Sequence, residues 1–124
     1  MNQMQHQVLE FHTKYGCSRS TIPTIMSEHE RLLRIRLMVS ELSEFIEEAT
    51  KCNLVGMVDA VGDLLYVTLG TAVAMGIDMS PIITEIHRSN MTKEIMMDVG
   101  GKIIKGEKYE SPKLREVIDR QIKI

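Results

Sequence analysis

Three glutamates, Glu41, Glu44 and Glu48, recur at helical spacing, and two aspartates, Asp59 and Asp63, stand four residues apart. On a helix turning about 100° per residue, Glu44 lies about 60° from Glu41 and Glu48 about 20° from it, so the three share a face. Leu37 and Phe45 each fall about 40° to either side of Glu41, which sets the acids within an apolar stripe rather than opposite it. Asp59 and Asp63 share a face of the next helix in the same way. Crowded carboxylates in a low-dielectric interior cost on the order of several kcal/mol each unless protons, cationic partners or a metal offset the charge. The bland alternatives are a solvated glutamate face partnered by Arg34 and a pair of helix-packing salt bridges for the aspartates. Residues 53–77 hold no Lys or Arg to make the second of these locally.

An all-oxygen set of this kind suits Mg²⁺, with Mn²⁺ as the other hard ion that prefers carboxylate and water. A carboxylate-bridged di-iron bundle needs Glu-x-x-His on two helices, and no glutamate here has a histidine three residues later. Mg²⁺ held by few protein ligands keeps positions for phosphate oxygens, so the spacing points to phosphoryl chemistry on a nucleotide.

The elements that must carry these side chains read as helices. Residues 2–15 follow a loosely helical pattern, and the Gly, Ser, Thr and Pro between Gly16 and Thr24 mark a loop. Ser27 stands three residues before Glu30, the spacing of a capping box, and Leu32, Ile35, Met38, Leu42, Phe45, Ile46 and Ala49 extend a helix to about Lys51. From Asn53 to Ile77 the only charges are Asp59 and Asp63. That length and apolarity match a membrane span, but two mid-segment carboxylates and the lack of a basic flank argue instead for a central helix buried on most sides. Its glycines each cost about 1 kcal/mol relative to Ala, so their value is expected in close approach of neighbouring backbones. Gly76 ends it, Asp78 or Ser80 caps the next helix, Pro81 suits the first turn, and the helix runs to about Asn90. Val99 to Gly106 forms a hairpin or an ordered loop, and Ser111-Pro112 opens a final amphipathic helix that continues to the C-terminus. The expected architecture is an all-α bundle of four to five helices in one domain, residues 1–124, with residues 92–124 as a basic loop and terminal helix.

The chain has 124 residues and a net charge of −2, which excludes a strongly basic surface for duplex nucleic acid. That near-neutral total averages two unlike parts. Residues 1–87 hold 6 Lys and Arg against 11 Asp and Glu, a balance of −5, and residues 88–124 hold 9 against 6, a balance of +3. With 3 Tyr, 2 Phe and no Trp, stacking on several bases is not the expected mode of recognition, and 10 Met must help to fill the core. Cys17 and Cys52 form neither a CxxC pair nor a zinc-ligand cluster, and the polar first residues lack a secretory signal, so the cytoplasm is the expected compartment.

Taken in order, Ser40-Glu41-Leu-Ser-Glu44, Asp59-Ala-Val-Gly-Asp63-Leu-Leu-Tyr66, Gly76-Ile-Asp78 and His87-Arg88-Ser89-Asn90-Met91 resemble the all-α NTP pyrophosphohydrolases. This superfamily includes MazG-like proteins, dimeric dUTPases and phosphoribosyl-ATP pyrophosphohydrolase. The tail Gly101-Lys-Ile-Ile-Lys-Gly106, followed by Tyr109 and Pro112, is most similar to the small MazG-like members, and the likeness spans residues 28–115. The family pattern is Glu-Glu-x-x-Glu and then Glu-x-x-Asp. Here Ser40 takes the first acidic place, and Ala60 stands three before Asp63, with Asp59 one further back.

The resemblance implies Mg²⁺-dependent hydrolysis of a nucleoside triphosphate to monophosphate and pyrophosphate. Glu41, Glu44 and Asp63 would hold the ion, with Asp59 assisting, and Glu44 or Glu48 would take the proton of the attacking water. It also implies phosphate contacts from Asn90, Lys93, Lys102 and Lys105, with Arg88 and His87 behind them. Tyr66, on the face of Asp59 and Asp63, is a candidate to line a base or ribose pocket, against the commoner outcome of a core tyrosine. A glycine-rich central helix among few short helices calls for a homodimer or homotetramer, as the resemblance also implies, and neither nucleic acid nor membrane is an expected partner. Two further readings stand beside this one. They are hydrolysis of a phosphoribosyl-nucleotide, and a non-catalytic module of the same fold that binds a nucleotide or a protein.

Overall fold

A computed structural model of the chain describes residues 1–94 and 97–122. Among these residues lie five helices and no strand: α1 (Gln3–Tyr15), α2 (Glu28–Thr50), α3 (Leu54–Met75), α4 (Met79–Asn90) and α5 (Leu114–Asp119). The all-α expectation holds. Contacts divide the chain into two compact units, Met1–Asp78 and Met79–Ile124.

In the first unit each helix begins and ends for a local reason. The side chain of Asn2 accepts a hydrogen bond from Gln5 N, Ser27 from Glu30 N and Asn53 from Gly56 N, which satisfies donors that a helix start leaves open. Only the Ser27 half of the expected capping box forms, since the Glu30 carboxylate lies 3.8 Å from Arg34 Nε. Gly16 and Gly76 close α1 and α3 in left-handed conformations with φ of 67° and 68°. The intervening loop folds back on the end of α3, where Ser20 N donates to Val73 O at 3.1 Å and Thr24 N to Met75 O at 2.8 Å. Cys52, with φ of 53°, reverses the chain between α2 and α3.

α2 and α3 pack antiparallel in a single register. Arg34 meets Gly70, Glu41 meets Asp63 and Glu48 meets Gly56, each pair one heptad further along both helices. The inward glycines of α3 thus make room for long polar side chains of α2 rather than for close backbones. A Cβ at Gly56 would strike the Glu48 carboxylate, and one at Gly70 would come within 2.8 Å of Arg34 Nη1 and 2.9 Å of His12 Nε2. Gly62 faces open space.

The core of this unit sits at the C-terminal end of α3, where Leu69 to Ala74 are buried against α1 and the folded-back loop, together with Val8 and Ala60. α3 is long and apolar enough to cross a membrane by length and composition alone. The expectation that it is buried on most sides is not met within one chain. Leu54, Val55, Val58 and Val61 are 52–79% exposed, because α1 covers only the far end of α3 and α2 covers only one side. The apolar stripe of α2 likewise turns outward, with Leu32, Ile35, Val39, Leu42 and Ile46 exposed at alternating three- and four-residue steps.

In the second unit, α4 and the segment before α5 are stapled together. Ser89, 2% exposed, donates to Glu110 O at 2.7 Å, Thr92 Oγ1 accepts from Glu110 N, and Lys113 N donates to Glu85 Oε2 at 3.0 Å. The expected hairpin is present as a single antiparallel bridge, Met97 to Ile103, closed by Asp98, whose Oδ1 accepts from Gly100 N and Lys102 N. α5 is shorter than expected: it stops at Asp119, and the last two residues of the expected helix, 123–124, lie outside the described residues.

Gly76 combines a positive φ with a close approach, since a Cβ there would collide with the Ile22 carbonyl. Gly76→Ala is therefore expected to lose at least about 2 kcal/mol in urea unfolding, from left-handed strain and from displacement of a backbone group. An unchanged midpoint would contradict this packing.

Candidate metal centre

Glu41 and Glu44 project from the middle of α2, one turn apart, and the antiparallel register carries Asp63 of α3 to them. One carboxylate oxygen from each lies within 4.8 Å of the others. Glu41 is half-buried, and its Oε2 is shielded from solvent without a hydrogen-bond partner. Glu44 and Asp63 are exposed in the single chain, so the interior cluster of five carboxylates expected from the sequence reduces to one shielded oxygen beside two open side chains.

Burial raises Glu41 above the ordinary carboxylate range. The charge of Asp63, the adjoining Glu44 carboxylate and then the charge of Asp59 add in the same direction. Asp59, one turn before Asp63, is exposed and acts on the cluster through its charge without belonging to the close trio. Glu48 is drawn away from it. Its Oε2 accepts from Asn53 Nδ2 at 2.9 Å, and Lys51 Nζ lies 3.7 Å from Oε1, so it braces the α2–α3 turn rather than facing the trio. Arg34, the cationic partner considered for the glutamates, is buried elsewhere. Its Nη1 donates to His12 Nε2 at 3.4 Å, while His12 Nδ1 donates to Ser18 O at 2.7 Å.

An orphaned, shielded carboxylate oxygen with two further carboxylates beside it fits a hard divalent cation. The set offers oxygen donors only and leaves most of a coordination sphere to water or phosphate.

The remaining candidates fall into different places. Tyr66, 39% exposed, is not a core tyrosine; it meets Phe11 of α1 edge-on at 5.7 Å, and Phe11 in turn lies 4.7 Å from Tyr15. Sequence spacing placed Tyr66 beside the aspartates but missed Phe11, and Tyr15 behind it, whose only signal was their i, i+4 spacing on α1. In the second unit, Arg88 is committed to Glu85 at 2.7 Å and Glu110 at 3.1 Å. The Arg88 hydrogen bonds, and then that from Lys113 N, hold Glu85 down to about 2. Lys105 lies over the Tyr109 ring at 5.0 Å, and Asn90 and the Lys102 side chain are exposed. Lys93 lines an open concavity of about 550 Å³ with Met91, Thr92, Glu94 and Lys108.

This hairpin of carboxylates is the setting in which a family match acquires meaning. The family model described as phosphoribosyl-ATP pyrophosphohydrolase matches residues 8–90. The chain belongs to this family. It is thereby a member of the MazG-like all-α NTP pyrophosphohydrolase superfamily, with a pyrophosphohydrolase-type activity on a nucleotide, a hydrolase acting on a phosphoric anhydride. The match begins within α1 and ends at Asn90, so it takes in the acidic trio, Tyr66 and Arg88 and leaves out Lys93, Lys102 and Lys105. No curated protein matches the chain.

The raised Glu41 has a consequence for stability. The folded state holds its proton to higher pH than the unfolded chain, whose glutamates titrate near about 4.3, so stability is fullest below that value and is lost as pH rises through the folded pKa. In chelator, Glu41→Gln is expected to melt above wild type at pH 7 to 8, with the gap closing as pH falls below about 4.3. Added Mg²⁺ should raise the melting temperature of wild type and leave that of the variant unmoved. Thermal unfolding across pH, with and without the ion, measures both effects.

Proposed function

We propose that the chain is a Mg²⁺-dependent nucleotide pyrophosphohydrolase that cleaves a (d)NTP between the α and β phosphates, giving (d)NMP and pyrophosphate. The carrying observation is the shielded, unpartnered Oε2 of Glu41 beside Glu44 and Asp63. Glu41, Glu44 and Asp63 would hold the cation, with Asp59 adding negative charge one turn away. Mn²⁺ meets the same donor requirement. When bound, the ion supplies neutralisation of phosphate charge and a lowered pKa for water.

The chain's own residues divide the remaining work. Glu41, the least exposed of the trio, has its pKa raised by burial and by the neighbouring acids, and a bound cation would offset both effects. Glu44, exposed and on the same face, is proposed to take the proton of the attacking water where it does not itself coordinate the cation. Asn90, Lys93, Lys102 and Lys105 remain the phosphate contacts suggested by resemblance, whereas Arg88 reads better as a structural cation. A second reading, a phosphoribosyl-nucleotide as substrate, is favoured by the description of the matching family.

The subunits are proposed to pair. Leu32, Ile35, Val39, Leu42 and Ile46 on α2, with Leu54, Val58, Val61 and Leu65 on α3, leave two heptad-spaced apolar rows exposed, and a second copy is the partner carrying the same rows. A homodimer or homotetramer in the cytoplasm is the corresponding assembly.

A panel of (d)NTPs and phosphoribosyl-ATP, assayed for pyrophosphate release with Mg²⁺ or with chelator, tests this reading. Turnover is expected only with the ion, and Glu41→Gln and Asp63→Asn should each lower it about 100-fold or more. Full activity in both variants would remove the site. Binding without turnover of any nucleotide would favour the non-catalytic module. In parallel, light scattering should give a dimer or tetramer mass, and Leu42→Glu or Val58→Glu should lower it. A monomeric wild type would overturn the pairing.

A further inference from the structure

The chain has only five aromatic side chains, 3 Tyr and 2 Phe, and no Trp. So small a supply would be expected in the core, yet Phe11, Tyr15 and Tyr66 gather at the surface, 42%, 60% and 39% exposed. Their rings form one assembly, with Phe11 tilted at 49° to Tyr15 and at 88° to Tyr66. Lys14 Nζ sits over the Tyr15 ring at 5.3 Å. Tyr66 lies three residues past Asp63, a rise of about 4.5 Å and a turn of about 60° on α3, so the aromatic trio borders the acidic trio within the same unit.

An apolar, π-faced surface beside a phosphate-directed cation site matches the two ends of a nucleotide. The phosphates carry charge, and the base is a flat ring that stacks on aromatic faces whatever its identity. We infer that Phe11, Tyr15 and Tyr66 form the platform for the nucleobase of the substrate whose phosphates are directed to Glu41, Glu44 and Asp63. The inference rests on the proposed hydrolysis site and adds α1 to it. Phe11 and Tyr15 offer ring faces, and Tyr66 forms the wall that turns from the platform toward Asp63. Recognition is by stacking on one base. The platform makes no base-specific hydrogen bond beyond the tyrosine hydroxyls, so broad tolerance among bases follows.

The lack of Trp makes the platform observable by tyrosine emission. In Tyr109→Phe, Tyr15 and Tyr66 are the tyrosines that remain. With Mg²⁺ present, an α,β-methylene nucleoside triphosphate is expected to quench this emission, and inorganic tripolyphosphate, which lacks a base, is not. Phe11→Leu and Tyr15→Leu should each raise KM for the nucleoside triphosphate about 10-fold, leaving kcat and inhibition by tripolyphosphate unchanged. Phe11→Tyr, which keeps a ring, should retain the wild-type KM. Unchanged KM in both leucine variants, with circular dichroism as in wild type, overturns the platform and leaves the hydrolysis reading standing. If no nucleotide is turned over, that reading falls and quenching alone decides the platform. A KM rise that comes with a lower assembly mass in light scattering assigns the trio to a subunit contact and overturns the inference.

Discussion

The antiparallel register of α2 against α3 is the constraint on which the rest of the structure depends, because it holds together carboxylates that repel one another. It is pinned on both sides of the acidic trio. Near the turn, Asn53 caps α3 and also donates to Glu48, whose carboxylate occupies the space left by Gly56. At the far end, Gly70 admits Arg34 and His12, and His12 ties this cluster to the loop through Ser18. With those two pairings fixed a heptad to either side, Glu41 has no place but opposite Asp63. The repulsion is thus imposed by packing elsewhere in the hairpin, and it persists as a shielded oxygen without a partner.

The same register explains why so much apolar surface is left over. Its inward seam is spent on polar and small side chains, Arg34, Glu41 and Glu48 against Gly70, Asp63 and Gly56. The aliphatic rows of both helices are therefore displaced to the outside of the hairpin, where α1 is too short to cover them. An acidic centre and exposed heptad rows are two consequences of one packing choice.

Much of this was legible in the sequence because it is local. The cap at Ser27, the loop that begins at Gly16, the glycine end of α3 and the shared face of Glu41 and Glu44 follow from spacings of four residues or fewer. What escaped is the choice of partner, near in the chain as well as far. Helical periodicity places Glu48 with Glu41, but Asn53 and Lys51 claim its carboxylate in the turn. The stripe containing Leu32 and Ile46 was correctly read as apolar, yet nothing local indicates that it faces away from α3. Phe11, with Tyr15 beside it, meets Tyr66 only because α1 packs on α3, some fifty residues later in the chain. Arg88, placed among the phosphate contacts by resemblance, is held by Glu85 within its own helix and by Glu110 beyond it.

The central claim is that this hairpin gathers Glu41, Glu44 and Asp63 for a divalent cation. Electron paramagnetic resonance of Mn²⁺ titrated into the nucleotide-free protein tests it most directly, since the free ion gives a sharp signal that is lost on binding. The account requires saturable loss of signal with wild type that is abolished in Glu41→Gln and retained in Glu48→Gln. Equal binding by wild type and Glu41→Gln would contradict it.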